Sequence, residues 1–407
     1  MFELRDYQEE AVRLSVEFFN SKAKYRPILE LPTASGKSVI IAHIVKQLKG
    51  NVLILQPSKE LLEQNYKKYE AVIADNPDLE PATVWSASVG VKQKSRVTFA
   101  MIGSICNNPE DWTDIDHVLI DECHRVSPQR EKKNDTKKNP TMASMYVQFF
   151  RVVKAMTLGL TATPYRMKNY RDEWGGYTKI NLLNRETPRF FNKFLYNVTA
   201  KKLYEGGYLC PINYLPLPFV STSLLPNSTG AEYSEASIQR AIERNEIIKK
   251  IPGILQQAFQ KGQKSCLVFV RSVAEARQLS EVVPFSDYIH AKSDKKERAR
   301  TIQNFKRGSI KTLFNVSVLT EGFDYPELDT IILARPTMSL TLYAQMVGRV
   351  MRNAPGKTKG SVVDMCGNVK RFGKVEELRI ENDPVLGWVL RSDTKILSGR
   401  RLDEALS

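Results

Sequence analysis

His117-Val118-Leu119-Ile120-Asp121-Glu122-Cys123-His124 is a short, β-rich apolar run that ends in two adjacent carboxylates. Such a run reads as a buried strand whose tip delivers acid groups to a site. Asp121 has the chemistry to hold Mg²⁺ through its water shell, and Glu122 to polarise a water for attack on a phosphate. The plainer alternative is an acidic turn after a core strand. The neighbouring stretches decide between the two.

Pro27 to Leu31 reads as a buried strand, followed by Pro32-Thr33-Ala34-Ser35-Gly36-Lys37-Ser38 and an apolar helix from Val39 to Leu48. Strand, small-residue loop, Gly-Lys-Ser and helix is the phosphate-binding layout. Loop amides and the helix N-terminus would cradle phosphates, Lys37 adds a point charge, and the Ser38 hydroxyl can ligate Mg²⁺. Leu31 stands where the strict pattern has glycine.

Upstream, Asp6 to Phe19 has helical apolar spacing and places Gln8 near a helix start. Its amide can donate and accept at once, as the edge of adenine requires, although a solvated first-turn glutamine is the simpler reading. Downstream, Asn51 to Gln56 is a strand, and Pro57-Ser58-Lys59-Glu60 leads into a helix through Val72. Ser58 is either that helix's N-cap or a phosphate contact. Val97 to Ile102 is a strand ending at Gly103-Ser104, a second candidate contact. Met156 to Leu160 leads into Thr161-Ala162-Thr163-Pro164. The basic stretch Gln129 to Asn139 is predicted as a solvated loop first and a nucleic-acid contact second. Strands alternating with helices imply a parallel sheet covered on both faces.

A chain of 407 residues exceeds one compact core and suits two domains. Net charge of +15 points to a polyanion, nucleic acid before membrane. The five cysteines have no metal-ligand spacing, which argues against structural zinc and a disulfide scaffold and fits a reducing compartment. With no signal-peptide pattern at Met1 to Asp6 and no membrane-length apolar run, a cytoplasmic location is expected. Pro77-Asp78 lacks a Glu-x-Lys partner, against a nuclease centre.

Tyr165 to Thr199 is polar, aromatic-rich and poorly periodic, Lys201 to Leu209 is predicted as a helix, and Pro211 to Thr229 has linker composition. A second alternating series follows, with strands at Ser265 to Val270, Tyr288 to Ala291, Thr312 to Val316, Thr330 to Leu333 and Ser361 to Met365. The predicted domains are 1–198, 199–375 and a tail of 376–407 without a readable motif. Gln345 to Arg352 reads as one helix, whose Gln345, Arg349 and Arg352 share a face. An arginine pair one turn apart is either a salt-bridged surface or a means of neutralising a triphosphate.

Taken in order, these pieces resemble the superfamily II helicases and translocases of the DEAD/DEAH kind over about residues 4–370. The wording of Leu4-Arg5-Asp6-Tyr7-Gln8, the Lys37 loop and Asp121-Glu122-Cys123-His124-Arg125 is most similar to RadD-type bacterial and phage DNA helicases. The resemblance implies two tandem RecA-like domains, each a mostly parallel sheet flanked by helices, with ATP·Mg²⁺ in the cleft between them. It implies that Arg5 stacks on the adenine that Gln8 reads, and that Thr33, Ala34, Ser35, Gly36, Lys37 and Ser38 form the Walker A loop. Ser38 and Asp121 would hold Mg²⁺, with Glu122 orienting the water. Thr161 and Thr163 resemble the coupling motif, and His124 is a relay between nucleotide and Gln345. Thr320 to Asp324, including Gly322, look like the fifth motif, and Gln345, Arg349 and Arg352 belong to the sixth, with arginine fingers. Ser58, Lys59, Ser104, Arg271 and Thr320 would grip nucleic acid. A monomeric DNA motor, acting in repair, recombination or fork processing, is expected ahead of an RNA helicase or a non-hydrolysing clamp.

Overall fold

The computed structural model describes residues 3–74, 76, 79–87, 89–127, 142–172, 175–228, 230, 232–319, 323–384, 386–393 and 395–398, with the backbone alone for 142–144, 168–172 and 175–178. The basic stretch 129–139, Pro77-Asp78, and Thr320 and Gly322 lie outside the described residues. The chain forms two compact units, Met1–Met167 with Ile180–Thr199, and Lys168–Lys179 with Ala200–Ser407.

The first unit is built on strands β1 (Pro27–Glu30), β2 (Val52–Gln56), β3 (Thr83–Ser86), β4 (Val91–Lys92), β5 (Val97–Met101), β6 (His117–Asp121) and β7 (Met156–Thr161). After β7 come the paired strands β8 (Tyr165–Asp172) and β9 (Gly175–Leu182), then β10 (Lys193–Asn197). The sheet order is β10-β1-β7-β6-β2-β5-β3-β4, parallel throughout except for β4. Helices α1 (Asp6–Asn20), α2 (Lys37–Gln47), α3 (Lys59–Ile73), α4 (Ile102–Ile105) and α5 (Met142–Val152) interleave with the strands. Continuous apolar runs such as Val52–Leu55 and Val118–Ile120 are fully buried, as strands covered on both faces must be. One core joins Ile28, Leu53, Val118 and Ile120 to Tyr146, Phe149 and Phe191.

Leu31 is buried and donates its N–H to Thr161 O at 2.9 Å, so it extends the β1–β7 pairing. That is why a side chain is tolerated where the strict loop pattern has glycine. Glu30, one residue earlier, has no side-chain partner among the described residues, and burial pushes its pKa up to about 7. A carboxyl raised above its unfolded value of about 4.3 binds a proton more readily in the folded state. Its charging therefore subtracts stability as pH rises from about 4.5 to 7, on the order of 3 kcal/mol once complete. Glu30→Gln should raise the melting temperature by several degrees at pH 8 and much less at pH 5. Equal shifts at both pH values would remove this assignment.

The second unit takes Lys168–Lys179, from the β8–β9 pair, and resumes with α6 (Ala200–Glu205) and β11 (Ile212–Pro216), then α7 (Glu235–Arg244), α8 (Ile247–Gln260), β12 (Cys266–Phe269), α9 (Val273–Val282) and β13 (Ser286–His290). It continues with α10 (Lys295–Lys306), β14 (Thr312–Val316), β15 (Thr330–Leu333), α11 (Leu340–Val347), β16 (Gly360–Asp364) and α12 (Asn368–Phe372). Its sheet, β11-β16-β15-β12-β14-β13, is wholly parallel. A separate antiparallel sheet of β17 (Leu378–Asp383), β18 (Gly387–Ser392) and β19 (Lys395–Ile396) follows.

The structure corrects the sequence reading in four places. The aperiodic stretch 165–199 holds three strands, and β10 pairs beside β1. The linker-like stretch from Pro211 contains β11, an edge strand where flanking prolines cost no ladder hydrogen bond. The tail 376–407 includes the three-stranded sheet. The Gln345–Arg352 helix stops at Val347, with Gly348 as its C-cap, so Arg349 and Arg352 lie in the turns beyond it.

Candidate nucleotide site

Parallel pairing brings the C-terminal ends of neighbouring strands to one edge of the first sheet. Pro32–Ser38 follow β1, Ser58 follows β2, Ser104 follows β5, Asp121 ends β6 and Thr161 ends β7. Most of the residues singled out in this half of the sequence therefore share one edge.

The loop before α2 is turned by two left-handed residues, Ala34 (φ 69°) and Gly36 (φ 80°). Tyr7 Oη and Gln8 Nε2 donate to Ser35 O at 2.8 and 2.9 Å, and Gln8 Oε1 accepts the Arg5 N–H at 3.0 Å. A Cβ on Gly36 would meet Gln8 Nε2 at 2.6 Å, so glycine is required by φ and by space together. The Arg5 guanidinium lies against Tyr7 Oη.

Glu122 sits at φ 48°, a left-handed conformation uncommon for a side-chain-bearing residue, and turns the chain sharply out of β6. Its Oε1 lies 3.4 Å from Lys37 Nζ, and its Oε2 3.2 Å from His124 Nδ1. The same His124 nitrogen is 2.8 Å from Thr161 Oγ1 and 3.3 Å from Thr163 Oγ1, and Thr163 N donates to Thr161 Oγ1. The acid pair and the Thr161–Thr163 turn are thus joined through one imidazole. Asp121 Oδ1 accepts the Glu122 N–H at 2.9 Å, and Oδ2 accepts Asn65 Nδ2 at 2.8 Å.

The two carboxyls are driven apart electrostatically. Burial and the neighbouring Glu122 charge push Asp121 up to about 6, against the pull of Lys37 and Asn65. Burial also opposes the Glu122 charge, but the Lys37 ammonium and the His124 ring outweigh it and hold that carboxyl below the usual range. Glu122 is the committed anion of the pair. Asp121 is a carboxylate whose full ionisation asks for a further cation.

The loop and the start of α2 supply further oxygen donors: the Ser38 hydroxyl, which accepts Gln64 Nε2 at 3.2 Å, and the buried Ser35 Oγ, which has no partner among the described residues. This hard-oxygen set fits Mg²⁺. Asn65 and Gln64 are candidate site residues that sequence reasoning missed, and Tyr7, in the Leu4–Gln8 stretch, has no role of its own in that reading. Asn65 did carry a signal, since it lies on the buried stripe of α3 with Leu62, Tyr69 and Val72.

Cys123, for which the sequence suggests no chemistry, is fully buried behind the acid pair. A Cβ on Gly159 would meet Cys123 Sγ and Phe191 Cε1, each at 2.7 Å, so the two small residues fit each other. Gly159→Ala should destabilise the protein by about 1–3 kcal/mol through overpacking. Adding Cys123→Ala should return part of that loss in a thermal double-mutant cycle; strict additivity would break the pairing.

The remaining candidates are occupied within their own units. Ser58 Oγ caps α3 by accepting Leu61 N–H, Lys59 pairs with Glu63, and Ser104 Oγ accepts Ala87 N–H. In the second unit Arg271 is held by Glu275 at 3.0 Å inside the α9 capping box. Arg349 Nη1 and Arg352 Nη1 both donate to Phe323 O, at 2.6 and 2.9 Å, and Arg352 also reaches Asp324 Oδ1 at 2.7 Å. The last two motifs of the sequence are thereby tied together through one carbonyl.

A phosphate loop facing an acid-pair strand end, followed by a second parallel α/β unit with clustered arginines, defines tandem RecA-like domains of the helicase type. Residues 1–166 match the family described as type III restriction enzyme, res subunit, and residues 246–354 match the helicase conserved C-terminal domain. The chain belongs to the superfamily II helicases. It is 30% identical over 341 residues to a 51.5 kDa protein of a Lactococcus phage, covering 81% of this chain and 64% of that protein. It is 24% identical over 378 residues to the DNA 3'-5' translocase XPB2 of Sulfurisphaera tokodaii, covering 86% and 79%. The ATP-dependent Type ISP restriction-modification enzyme LlaBIII bound to DNA shares the fold, with TM-score 0.63 at 17% identity, over 90% of this chain and 28% of that one. Among several curated relatives, the chain spans 51% to 66% of the other protein's length. No helix among the described residues is long and apolar enough to cross a membrane.

Proposed function

We propose that the chain hydrolyses ATP to drive movement along nucleic acid, with DNA as the preferred polymer. The observation that carries this reading is the 3.4 Å approach of Lys37 to Glu122, with Asp121 alongside on the same strand end. Lys37 and the amides at the start of α2 hold the phosphates, Ser38 and Asp121 hold the metal, and Glu122 accepts the proton-side hydrogen bond of the attacking water. Mg²⁺ bound there supplies positive charge for the phosphate oxygens. Arg349 and Arg352 serve the same reaction from the second unit by neutralising charge that develops on the phosphoryl group. Arg5 and Gln8 hold the base, and Gly322 and Asp324 are assigned to nucleotide binding by their likeness to the fifth motif. His124 passes the state of Glu122 to Thr161 and Thr163. Ser58, Lys59, Ser104, Arg271 and Thr320 are the groups assigned to the strand. The relative named as a DNA translocase supports DNA over RNA.

The test is steady-state ATP turnover with no polymer, single-stranded DNA, duplex DNA, forked DNA and RNA, beside Lys37→Ala. Stimulation by DNA in the parent and its loss in Lys37→Ala is the expected result. A variant that turns over ATP like the parent ends the motor reading, and stimulation by RNA alone ends the DNA assignment.

A further inference from the structure

A cavity of about 470 Å³ opens at the opposite edge of the first sheet, where β1, β7 and β10 begin. Lys22, Lys24 and Arg26 precede β1, Lys154 precedes β7, and Arg189 precedes β10, so five cations line it. No carboxylate lines it among the described residues. Its volume lies within the roughly 300–1,000 Å³ of small-ligand pockets, which leaves room for a nucleotide unit. At ~3.3 Å per residue the four residues of β1 put it at least about 13 Å from the phosphate loop. It is a separate place.

Arg26 distinguishes this cavity from an ordinary solvated basic surface. Its guanidinium lies 4.4 Å from the Phe190 ring centre and 5.5 Å from that of Phe150, and it has no anionic partner among the described residues. Its backbone is fixed by reciprocal bonds with Asn192: Arg26 N donates to Asn192 Oδ1, and Asn192 N to Arg26 O, both at 2.8 Å. Burial lowers its pKa, the mark of a cation short of compensation. Lys24 and Arg189 are exposed at the mouth. Lys193 Nζ stands 4.1 Å over the Tyr25 ring beside it. Cations already cover the Phe190 and Tyr25 faces, so bases are not offered a stacking platform. Guanidinium forks and ammonium groups remain, and these fit phosphate oxygens.

We propose that this cavity grips the phosphodiester backbone of the nucleic acid, as an anchor separate from the ATP-bearing edge. It rests on the reading that nucleic acid is the polymer, not on hydrolysis. An anchor at this edge would hold the strand independently of the nucleotide state.

The test is equilibrium binding of a fluorescent single-stranded oligonucleotide, without nucleotide, across a salt series. Parent, Lys24→Ala/Arg189→Ala and a matched control, Lys249→Ala/Lys261→Ala, are compared. With single strands each lost phosphate contact removes about 0.7 from the slope of log K against log salt. The cavity variant should therefore be shallower by about 1.4 and bind roughly tenfold more weakly, with its ATP turnover in the absence of polymer unchanged. The control should match the parent. Arg26→Met, which keeps the apolar stem, should repeat the loss in part. A parent-like slope in the cavity variant, or an equal loss in the control, overturns the proposal. So does pyrophosphate binding that Lys24→Ala/Arg189→Ala abolishes while oligonucleotide binding stays parental, because the cavity would then take free polyphosphate and not the strand. A parent that binds the oligonucleotide but does not hydrolyse ATP loses the motor reading and leaves this one standing.

Discussion

Glu122→Gln is expected to lower polymer-stimulated ATP turnover about 10³-fold while leaving nucleotide affinity within a few-fold of the parent. The substitution keeps the shape of the side chain and removes its charge. Glu122 is the carboxyl that Lys37 and His124 hold ionised, so it is the acceptor available to a water at neutral pH. Glutamine in its place can keep contact with Lys37 and His124 and still accept a water hydrogen, but its neutral amide is too weak a base to draw the proton away. Release of Lys37 from its ion pair should, if anything, favour phosphate binding. Single-turnover hydrolysis with a fluorescent nucleotide for affinity separates the two effects. A variant whose affinity and turnover fall together would make Glu122 a binding group and not the water-orienting one.

Arg352→Ala should have an effect of similar size, about 10³-fold on turnover, with KM little changed, because a finger acts only as charge develops. Arg349→Ala should match it in rate but also cost stability. Arg349 is only 5% exposed, and its bond to Phe323 O is one that a buried carbonyl gives up at a cost of about 1.5–3 kcal/mol. Arg352 shares that carbonyl and is tied to Asp324, whose side chain is 42% exposed, so its loss leaves less unsatisfied. Lysine should rescue neither, since a compact ammonium lacks the planar guanidinium that meets phosphate oxygens in pairs. Thermal melts beside kinetics decide the matter. Should Arg352→Ala melt early and hydrolyse at parental rates, the arginine is a structural tie.

Much of the fold and of the candidate site could be read from residue patterns because each is a local signal. Apolar runs such as Val52–Leu55 name fully buried strands, and Gly36-Lys37-Ser38 names a loop by chemistry that few other sequences satisfy. What escaped depended on tertiary pairing. β10 and β11 lie at sheet edges, where burial on one side only weakens the apolar pattern and where Pro211 and Pro216 cost no ladder bond. The end of α11 was written in Gly348, but the spacing of Gln345, Arg349 and Arg352 mimics a continuing helix. Asn65 reaches Asp121 across 56 positions of sequence, a partnership that no local pattern contains. The cavity beneath β1, β7 and β10 is composed from three segments that are each unremarkable as sequence.

Gln8 has its amide N–H and its carbonyl engaged by Ser35 O and the Arg5 N–H. A base edge that engages this side chain would pull on the same amide that props the phosphate loop at Ser35 and packs against Gly36. With the base on Gln8, as proposed, discrimination between bases would be wired into the shape of the loop proposed to hold the phosphates. A mismatched nucleotide would still find its phosphate contacts, yet sit on a loop that has lost its brace. Selectivity of this kind is spent in the chemical step and not at the door.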